Sequence, residues 1–301
     1  MIQRRHDLKR GALLMLAATA LFALMSALVK LLGSRIPFAE LVFFRNAFAL
    51  PVVVAIALRR HATLYTRRFP GHLARACTGL SAMSCSFYAL TVLPLAEQTA
   101  LSYCTPLFVI ILSIPFLGER PGPHRWAAVV VGFLGILVIA LGQGAFGGGH
   151  PVAEGVTQAM VTLGFAAAAL NGLFSGMTTM LVRQLSDTEA SATIVLWQSL
   201  LMSSLSFIAL PFLWVTPTLG EWPLLLAIGL IGGFAQVLLT EAYASAQVSS
   251  LGPYSYTALI WAMMIGWLVW GDVPTLAMLA GAALIVGAGL YVLHHEMRKR
   301  K

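Results

Sequence analysis

Charged and polar side chains interrupt the long apolar runs of this chain, and their types suit the binding of a small solute. Arg45 stands within the aromatic run FFRNAF. A guanidinium is costly to bury in an apolar setting unless it meets an anion. Two roles are open for Arg45: it holds neighbouring helices together through Glu40 or Glu97, or it contacts an anionic group of a substrate.

Four apolar runs carry polar side chains at the spacing i, i+4 and i+7, which places them on one helix face. The members are Ser81, Cys85 and Tyr88; Gln98, Ser102 and Thr105; Asn171, Ser175 and Thr178; and Gln236, Thr240 and Tyr243. Amides are expensive to leave unpaired in hydrocarbon, which favours the lining of a cavity. Hydroxyls also bond across packed membrane helices, so helix packing is the alternative for Ser and Thr.

Aromatic side chains away from the ends of the runs supply a second kind of contact, because they can stack on a planar or apolar substrate group. Core packing is the alternative for each of them. The predicted substrate-binding set, in which Gln198 is the repeat counterpart of Arg45, is Arg45, Ser81, Tyr88, Gln98, Ser102, Tyr103, Asn171, Gln198, Gln236, Tyr243, Tyr256 and Trp261.

Glu241 is a carboxylate inside an apolar run with no cation close to it in the sequence. A membrane carboxylate can take up and release a proton, so Glu241 is the candidate site for a coupling proton. The alternative is satisfaction by hydrogen bonds or water near the end of the run. The chain contains no Walker A motif, no HExxH motif and no CxxC pair, so no ATP hydrolysis, metal site or cofactor is predicted.

The elements that carry these residues are predicted to be transmembrane helices. The 301-residue chain is 59% hydrophobic and 10% charged, whereas a soluble domain has roughly 25% charged residues. Runs of about 20 apolar residues are long enough to cross a bilayer. Ten such runs are predicted: 11–32, 39–58, 74–93, 96–117, 124–142, 157–182, 190–215, 222–243, 249–270 and 275–294. The predicted fold is therefore an all-α integral membrane protein.

The placement of the basic residues predicts the orientation. Of the 19 Lys and Arg residues, all except Lys30, Arg35 and Arg45 fall on one side if the N-terminus is inside. This bias predicts that both termini face the cytoplasm, in the inner (plasma) membrane. The basic stretch RRHATLYTRRFPGHLAR is then an orientation signal beside lipid headgroups, and no nucleic-acid partner is predicted. Lys30, near the outer end of its run, is expected to snorkel.

An internal repeat divides the chain. LVKLLGSRIPFAELVFFR (28–45) aligns without a gap to LVRQLSDTEASATIVLWQ (181–198), so that Lys30 falls on Arg183 and Arg45 on Gln198, 153 positions apart. LGE at 117–119 and WGD at 270–272 keep the same offset. Five runs per half is an odd number, which predicts two inverted five-helix repeats. The predicted units are 1–142, an outer linker 143–156, and 157–301.

The segment LPLAEQTALSYCTPLFVIILSIPFLGERPGPHRWAAVVVGFLGILVI (93–139) resembles the end of the first half of EamA-type carriers of the drug/metabolite transporter superfamily. The resemblance rests on Pro106, the LGE motif and a closing run with Gly132 and Gly135. It implies a 5+5 inverted fold, alternating access, and secondary transport of small metabolites, commonly amino acids and their derivatives and often outward. Two departures are Trp261, near the place of Pro106, and Asp272 in place of the Glu.

The predicted function is export of a small metabolite, such as an amino acid or an amino-acid-derived carboxylate, including metallophore-like compounds. The alternative within transport is uptake of a vitamin such as riboflavin. Alternatives of another class are a membrane-embedded enzyme or a scaffold. The sequence leaves the substrate, the coupling ion and the oligomeric state open.

Overall fold

A computed structural model describes residues 8–59, 63–118, 121–142, 157–245, 251 and 254–299 of the chain. Within these residues the regular structure is helical and no strand occurs. Eleven helices are described: α1 (Leu8–Leu32), α2 (Phe38–Arg59), α3 (Phe69–Val92), α4 (Leu95–Ser102), α5 (Thr105–Leu117), α6 (Pro123–Gly142), α7 (Gln158–Ser186), α8 (Ser191–Leu213), α9 (Trp222–Ser245), α10 (Thr257–Trp270) and α11 (Leu276–Lys299).

Most of these helices can cross a membrane. Seven helical stretches in the described residues are long and apolar enough, namely Lys9–Leu32, Phe38–Arg59, Leu95–Phe116, Pro123–Gly142, Gln158–Ser186, Trp222–Ala242 and Leu276–His295. Thr193–Ile208 and Thr257–Trp270 are apolar but shorter. Helix α3 is not in the set, and it buries His72 and Arg75 near its start. The protein is a multi-pass membrane protein, and ten crossings stay a prediction.

The predicted span 96–117 is not one continuous helix. Helix α4 ends at Ser102, and α5 begins at Thr105 after a turn at Tyr103 and Cys104. Pro106 explains the break, because proline lacks an N–H and its ring clashes with the carbonyl four residues earlier, which belongs to Ser102. The predicted span 249–270 is likewise interrupted, since Tyr254 and Ser255 are helical, Tyr256 forms a turn, and α10 begins at Thr257.

Two glycines end helices in the same way in the two halves. Gly118 follows α5 with φ 63°, and Gly271 follows α10 with φ 71°. This left-handed conformation costs glycine no steric penalty and is a common way to end a helix. The two residues belong to the aligned motifs LGE and WGD, so the repeat seen in the sequence is also present in the backbone.

Helices of the first half pack mainly against helices of the second half. Helix α3 runs along α7, α1 along α9, α6 along α11, and α2 along α8 and α9. Small residues allow close approach: a Cβ added to Gly135 of α6 would lie 2.7 Å from the carbonyl oxygen of Gly281 in α11. Such approaches stabilise membrane helix packing through van der Waals contact.

The helix bundle has two ends that carry different charged residues. The basic face carries the end of α2 with Arg59, the approach to α3 with Arg68, and the end of α7 with Arg183. The opposite face carries the turn between α1 and α2 with Arg35 and the segment between α8 and α9.

Candidate functional site

Arg45 lies on α2, half-buried, against α9. Its Nη1 donates to Oδ1 of Asn46 at 3.2 Å. Its buried Nε finds no acceptor within the described part of the chain. A Cβ added to Gly232 would lie 3.4 Å from this Nε, so glycine makes room for the guanidinium. The group therefore sits between two membrane-spanning helices with hydrogen-bonding capacity left over.

Glu40, one of the two carboxylates considered as a partner of Arg45, forms no ion pair with it in the described residues, where the ion pairs include Lys30–Asp272 and Arg35–Glu221. Glu40 is fully buried and accepts the backbone N–H of Val215 at 3.0 Å. Its spacing of five from Arg45 places the two on different faces of α2. Bracing through Glu40 is therefore not seen, and bracing through Glu97 stays a prediction.

Gln198 on α8 occupies the counterpart position in the second half. Its Nε2 donates to the sulfur of Met202 at 3.4 Å. A Cβ added to Gly79 of α3 would lie 3.9 Å from this Nε2. Gly79 and Gly232 are themselves 153 positions apart. Each polar side chain of the pair therefore faces a glycine of the other half, and the two glycines are counterparts as well.

Tyr103 and Tyr256 meet beside the breaks in the two interrupted spans. Their ring centroids are 4.8 Å apart at an interplanar angle of 52°. The hydroxyl of Tyr103 donates to the carbonyl of Ser255 at 2.8 Å. The two tyrosines lie 153 positions apart, so this contact joins a residue to its own counterpart.

Another contact between the halves recurs at equivalent positions, but its side chains differ. The hydroxyls of Thr19 in α1 and Thr257 in α10 are 2.9 Å apart. Their counterparts are Gly172 in α7 and Cys104, and a Cβ on Gly172 would collide with the Cys104 sulfur. The backbone positions touch in both halves, but only one contact is polar.

Several predicted binding residues take part in local or helix-packing bonds. Gln98 is buried and donates to the hydroxyl of Ser86 at 2.8 Å. Ser102 donates to the carbonyl of Thr99 at 2.7 Å. Gln98 thus joins α4 to α3, whereas the hydrogen bond of Ser102 is local to α4.

Helix α7 presents a similar case. Ser175 donates to Oδ1 of the buried Asn171 at 3.3 Å. Thr178, one turn further along, shares a 2.9 Å hydrogen bond with Thr78 of α3. The polar stripe predicted on α7 therefore takes part in packing against α3.

Three further residues of the predicted set lie on α3 and α10. Ser81 is half-buried on α3, and Tyr88 packs edge-on to Phe38 with ring centroids 5.7 Å apart. The buried Nε1 of Trp261 has no acceptor within the described residues. The side chain of Tyr243 lies outside the described residues.

A cavity of about 250 Å³ lies between α2, α8 and α9 at the basic-face end. Its polar lining is Arg59, Gln236, Thr240 and Glu241. Apolar side chains of the three helices, such as Val53 and Val237, form the rest of the wall. Gln236 and Glu241 were predicted, whereas Arg59 was assigned to orientation alone, because sequence spacing does not show that α2 ends beside Glu241.

The counterpart of this cavity towards the opposite face is filled. Leu80 takes the place of Gly233, and Phe87 takes the place of Thr240. Phe87 is buried in a hydrophobic cluster, and Leu80 and Met83 pack against that cluster. The space between the helices is therefore open at the basic face, whereas side chains fill the equivalent space towards the opposite face.

Charged contacts hold the opposite face together. Nζ of Lys30 lies 3.0 Å from Oδ2 of Asp272 and 4.8 Å from the ring centroid of Trp270. Lys30 therefore forms an ion pair near the end of its helix, and its snorkelling stays a prediction. The pairing of Asp272 was not predicted, because no local pattern in the sequence points to a partner 242 positions away.

Arg35 adds a second pair on this face, with Glu221. Its Nη2 also donates to the carbonyl of Thr216 at 3.3 Å. The hydrogen bond from Arg35 lowers the pKa of Glu221 to about 2. Both groups lie in segments between helices, so the ion pair ties two loops.

On the basic face, most of the corresponding contacts are hydrogen bonds between a charged side chain and a neutral group. Arg68, the counterpart of Glu221, donates to the Gln184 carbonyl at 2.8 Å and to the hydroxyl of Thr188 at 3.4 Å. Thr188 is the counterpart of Arg35. Nearby, Thr66 donates to Oε1 of Glu189 at 2.6 Å.

Comparison with known proteins agrees with this architecture. The profile of the EamA-like transporter family matches residues 9–141 and again residues 162–293. The pseudopaline exporter CntI of Pseudomonas aeruginosa is 32% identical over 93% of this chain and 95% of its own length. A riboflavin transporter of Rhizobium johnstonii is 30% identical over 97% and 93%, respectively. An S-adenosylmethionine uptake transporter of Rickettsia bellii is 29% identical over 89% and 88%.

A crystal structure superposes with a TM-score of 0.64 over 97% of this chain and 98% of its own, at 21% identity, which shows a shared fold. The two matches to one family profile account for the two halves of the chain, and the relatives named above are transporters. The chain belongs to the EamA-like transporter family.

Proposed function

We propose that the protein is a secondary carrier that exports a small carboxylate-bearing metabolite, such as an amino acid or a metallophore-like derivative of one. The observation that carries this proposal is Arg45. A guanidinium held between membrane-spanning helices is stable only with hydrogen-bond acceptors, and the described chain supplies one, on Asn46. A substrate carboxylate would supply the others, in the bidentate geometry that arginine favours.

The two halves are proposed to be inverted repeats, formed by residues 1–142 and 157–301 and joined by the linker 143–156. Reciprocal contacts support this: when one residue contacts a second across the halves, their counterparts contact each other too. Reciprocity of this kind is the property of a two-fold axis. The Tyr103–Tyr256 contact supports such an axis, because a residue can touch its own counterpart only where an axis would pass nearby.

The substrate site is proposed to lie around that axis, at the breaks in the two interrupted spans, where inverted-repeat carriers bind their substrates. The proposed contacting set is the predicted one, Arg45, Ser81, Tyr88, Gln98, Ser102, Tyr103, Asn171, Gln198, Gln236, Tyr243, Tyr256 and Trp261. Within it, Arg45 would meet an anion, and the aromatic rings would stack on the rest of the substrate.

The direction of transport is proposed to be outward. The positive-inside rule assigns the basic face to the cytoplasm of the cell, with both chain termini on that side of the inner membrane. The cavity at the basic face is accessible at Arg59, which is exposed, whereas its counterpart is packed. An opening on that side would admit substrate from the cytoplasm, which supports export.

Glu241 is proposed as the site of a coupling proton, because it is a carboxylate within α9 that lines the cavity. We expect Glu241→Gln to abolish the dependence of transport on a pH gradient while exchange at equal pH continues. Flux through liposomes with and without the gradient measures this. An unchanged pH response in the variant would remove Glu241 as the proton site.

The function is tested with purified protein in liposomes. A panel of radiolabelled amino acids, pseudopaline, riboflavin and S-adenosylmethionine is offered for exchange, with empty liposomes as the control. We expect exchange of a carboxylate-bearing amino acid or derivative. Folded protein that moves no compound of the panel would refute the carrier.

Uptake of a vitamin is the second candidate, and the Tyr103–Tyr256 pair supports it, because the outer face of either ring can stack on a planar ring system. Riboflavin transporters are also among the relatives. Exchange of riboflavin without exchange of any amino acid would favour this candidate over the first.

A further inference from the structure

A histidine is buried at the start of α3, beside the turn between α7 and α8. His72 is 1% exposed, and its Nε2 lies 3.9 Å from Oε1 of Glu189. This distance is too long for a hydrogen bond, and neither ring nitrogen of His72 has a hydrogen-bond partner within the described residues. The same Oε1 accepts the hydroxyl of Thr66 at 2.6 Å. The imidazole is therefore enclosed, and its hydrogen-bonding capacity is unused.

The first two turns of α8 enclose His72 on another side. Its ring centroid lies 5.9 Å from that of Trp197, and Trp197 also packs edge-on to Phe69 with centroids 5.5 Å apart. Arg75, one turn further along α3, is buried and donates to the carbonyl of Ile194 at 3.4 Å. The start of α3 is thus packed against the start of α8 through His72 and the side chains next to it.

The equivalent place at the opposite face is apolar. All four counterparts are buried in one hydrophobic cluster, namely Leu225 for His72, Ile36 for Glu189, Ile228 for Arg75 and Phe44 for Trp197. The edge-on contact of Phe69 with Trp197 recurs there between Trp222 and Phe44, with ring centroids 5.4 Å apart. The repeat therefore preserves the packing but not the ionisable groups, so packing alone does not require a histidine at position 72.

A proton on His72 would add a positive charge to this enclosed place. Burial and the guanidinium of Arg75 oppose that charge, whereas the carboxylate of Glu189 favours it. The other charged groups on the adjoining segments are exposed, namely Arg67, Arg68, Arg183 and Asp187.

Burial has the largest influence on this histidine. His72 precedes the predicted membrane span 74–93, and burial lowers the pKa of its imidazole from the usual 6.5. A His72 that moved into water would regain its usual pKa. Because protons bind preferentially to the arrangement with the higher pKa, acid favours an arrangement in which His72 is hydrated and α3 is apart from α8.

We propose that His72 is a proton-binding site that controls the contact between α3 and α8 at the basic face. Neutral His72 lets the two helix starts pack together, and protonated His72 separates them. This site is distinct from Glu241, which lies on α9. Val195 of α8, two residues before Trp197, lines the cavity, so a movement of α8 would also move the cavity wall. The proposal does not depend on which solute the protein carries.

The test measures the distance between the two helix starts as the pH falls. In a full-length variant without Cys77, Cys85 and Cys104, spin labels are attached to cysteines that replace Ala74 in α3 and Ala190, which directly precedes α8. Both positions are exposed. Pulsed electron paramagnetic resonance gives the distances in detergent between about pH 8 and about pH 5, an interval that includes the usual pKa of histidine.

We expect one short distance at the higher pH and a second, longer distance whose share rises severalfold in acid. His72→Leu copies Leu225 of the other half and should keep the short distance throughout. His72→Gln retains a polar side chain without a charge and should do the same. His294→Leu removes an exposed histidine near the end of α11, and as the matched control it should respond like the protein with His72. Melting temperatures at the higher pH establish that each variant is folded.

Three results would overturn the proposal. The first is a distance that does not change with pH when His72 is present. The second is a change that both His72 variants retain. The third is a shorter distance in acid, because it would mean that the protonated imidazole pairs with Glu189 and strengthens the contact.

Discussion

The two halves place equivalent backbone positions in equivalent contacts, but they fill those contacts with different chemistry. Arg45 faces Gly232 in one, and Gln198 faces Gly79 in the other. On the opposite face an ion pair joins two loops, whereas the corresponding positions on the basic face form a hydrogen bond between Arg68 and Thr188.

This difference separates what the fold needs from what the function needs. Contacts that recur in both halves, such as the helix-ending glycines and the close approaches at glycine, maintain the helix packing. Side chains that differ, such as Arg45 against Gln198 and Glu241 against Tyr88, are free to serve a substrate.

The largest expected effect on stability comes from placing a side chain of the first half at the equivalent contact of the second half. Gly172→Thr copies Thr19 into the second half, where the Cys104 sulfur leaves no room for a Cβ. Overpacking of this kind typically costs about 1–3 kcal/mol. We expect a lower melting temperature in detergent. Gly287→Ala is the control, because nothing lies within 4 Å of the added Cβ; equal melting temperatures for both would mean that the two contacts are not equivalent.

Arg45→Gln makes the first half resemble the second. A charge-assisted hydrogen bond contributes about 1.5–3 kcal/mol, so the affinity for a carboxylate substrate should fall about tenfold or more. The amide analogue of the same substrate should bind wild type and variant alike. Competition in liposomes measures both affinities. A variant that discriminates carboxylate from amide as the wild type does would exclude Arg45 as the anion-binding group.

Breaking the Lys30–Asp272 ion pair should lower the stability of the protein by a smaller amount. Its side chains are 15% and 32% exposed, so water screens it in part. Pairs of this kind are worth roughly 0.2–1 kcal/mol. A double-mutant cycle with Lys30→Gln and Asp272→Asn, read by unfolding in detergent, should give a coupling energy in that range. Strict additivity of the two substitutions would show that the pair does not hold the opposite face.

The contribution of the Arg35–Glu221 ion pair to stability should be lost only in acid. Its pKa is lowered from 4.5 to about 2, so the ionised carboxylate contributes stability above pH 4.5, and this contribution is lost as the pH falls from 4.5 towards 2. The melting temperature of wild type should therefore decline more steeply over this interval than that of Glu221→Gln. Parallel curves would contradict the assignment.

The sequence predicted the helical membrane class and the repeat well, because both rest on local patterns. Apolar runs of membrane length and the 153-residue offset are visible without any knowledge of packing. The break at Tyr103 and Cys104 could have been predicted from Pro106, whose ring excludes the carbonyl of Ser102 from a continuous helix.

The partners of the charged residues could not be predicted. Lys30 pairs with Asp272, and Arg35 with Glu221, across large separations in the sequence. Such pairs depend on how helix ends are arranged in space. The same limit explains why Arg59 was not predicted to line the cavity.

The most direct test of the central claim compares one cavity position with its counterpart. In a variant without Cys77, Cys85 and Cys104, single cysteines replace Val237, in the cavity wall, and Ser84, 153 positions earlier. A membrane-impermeant maleimide is applied to vesicles of either orientation, with and without substrate.

Alternating access with unlike halves predicts that Val237→Cys reacts from the basic face and Ser84→Cys resists. Substrate should then lower the first reactivity and raise the second from the opposite face. Equal labelling of both positions, or labelling that substrate does not change, would contradict the account.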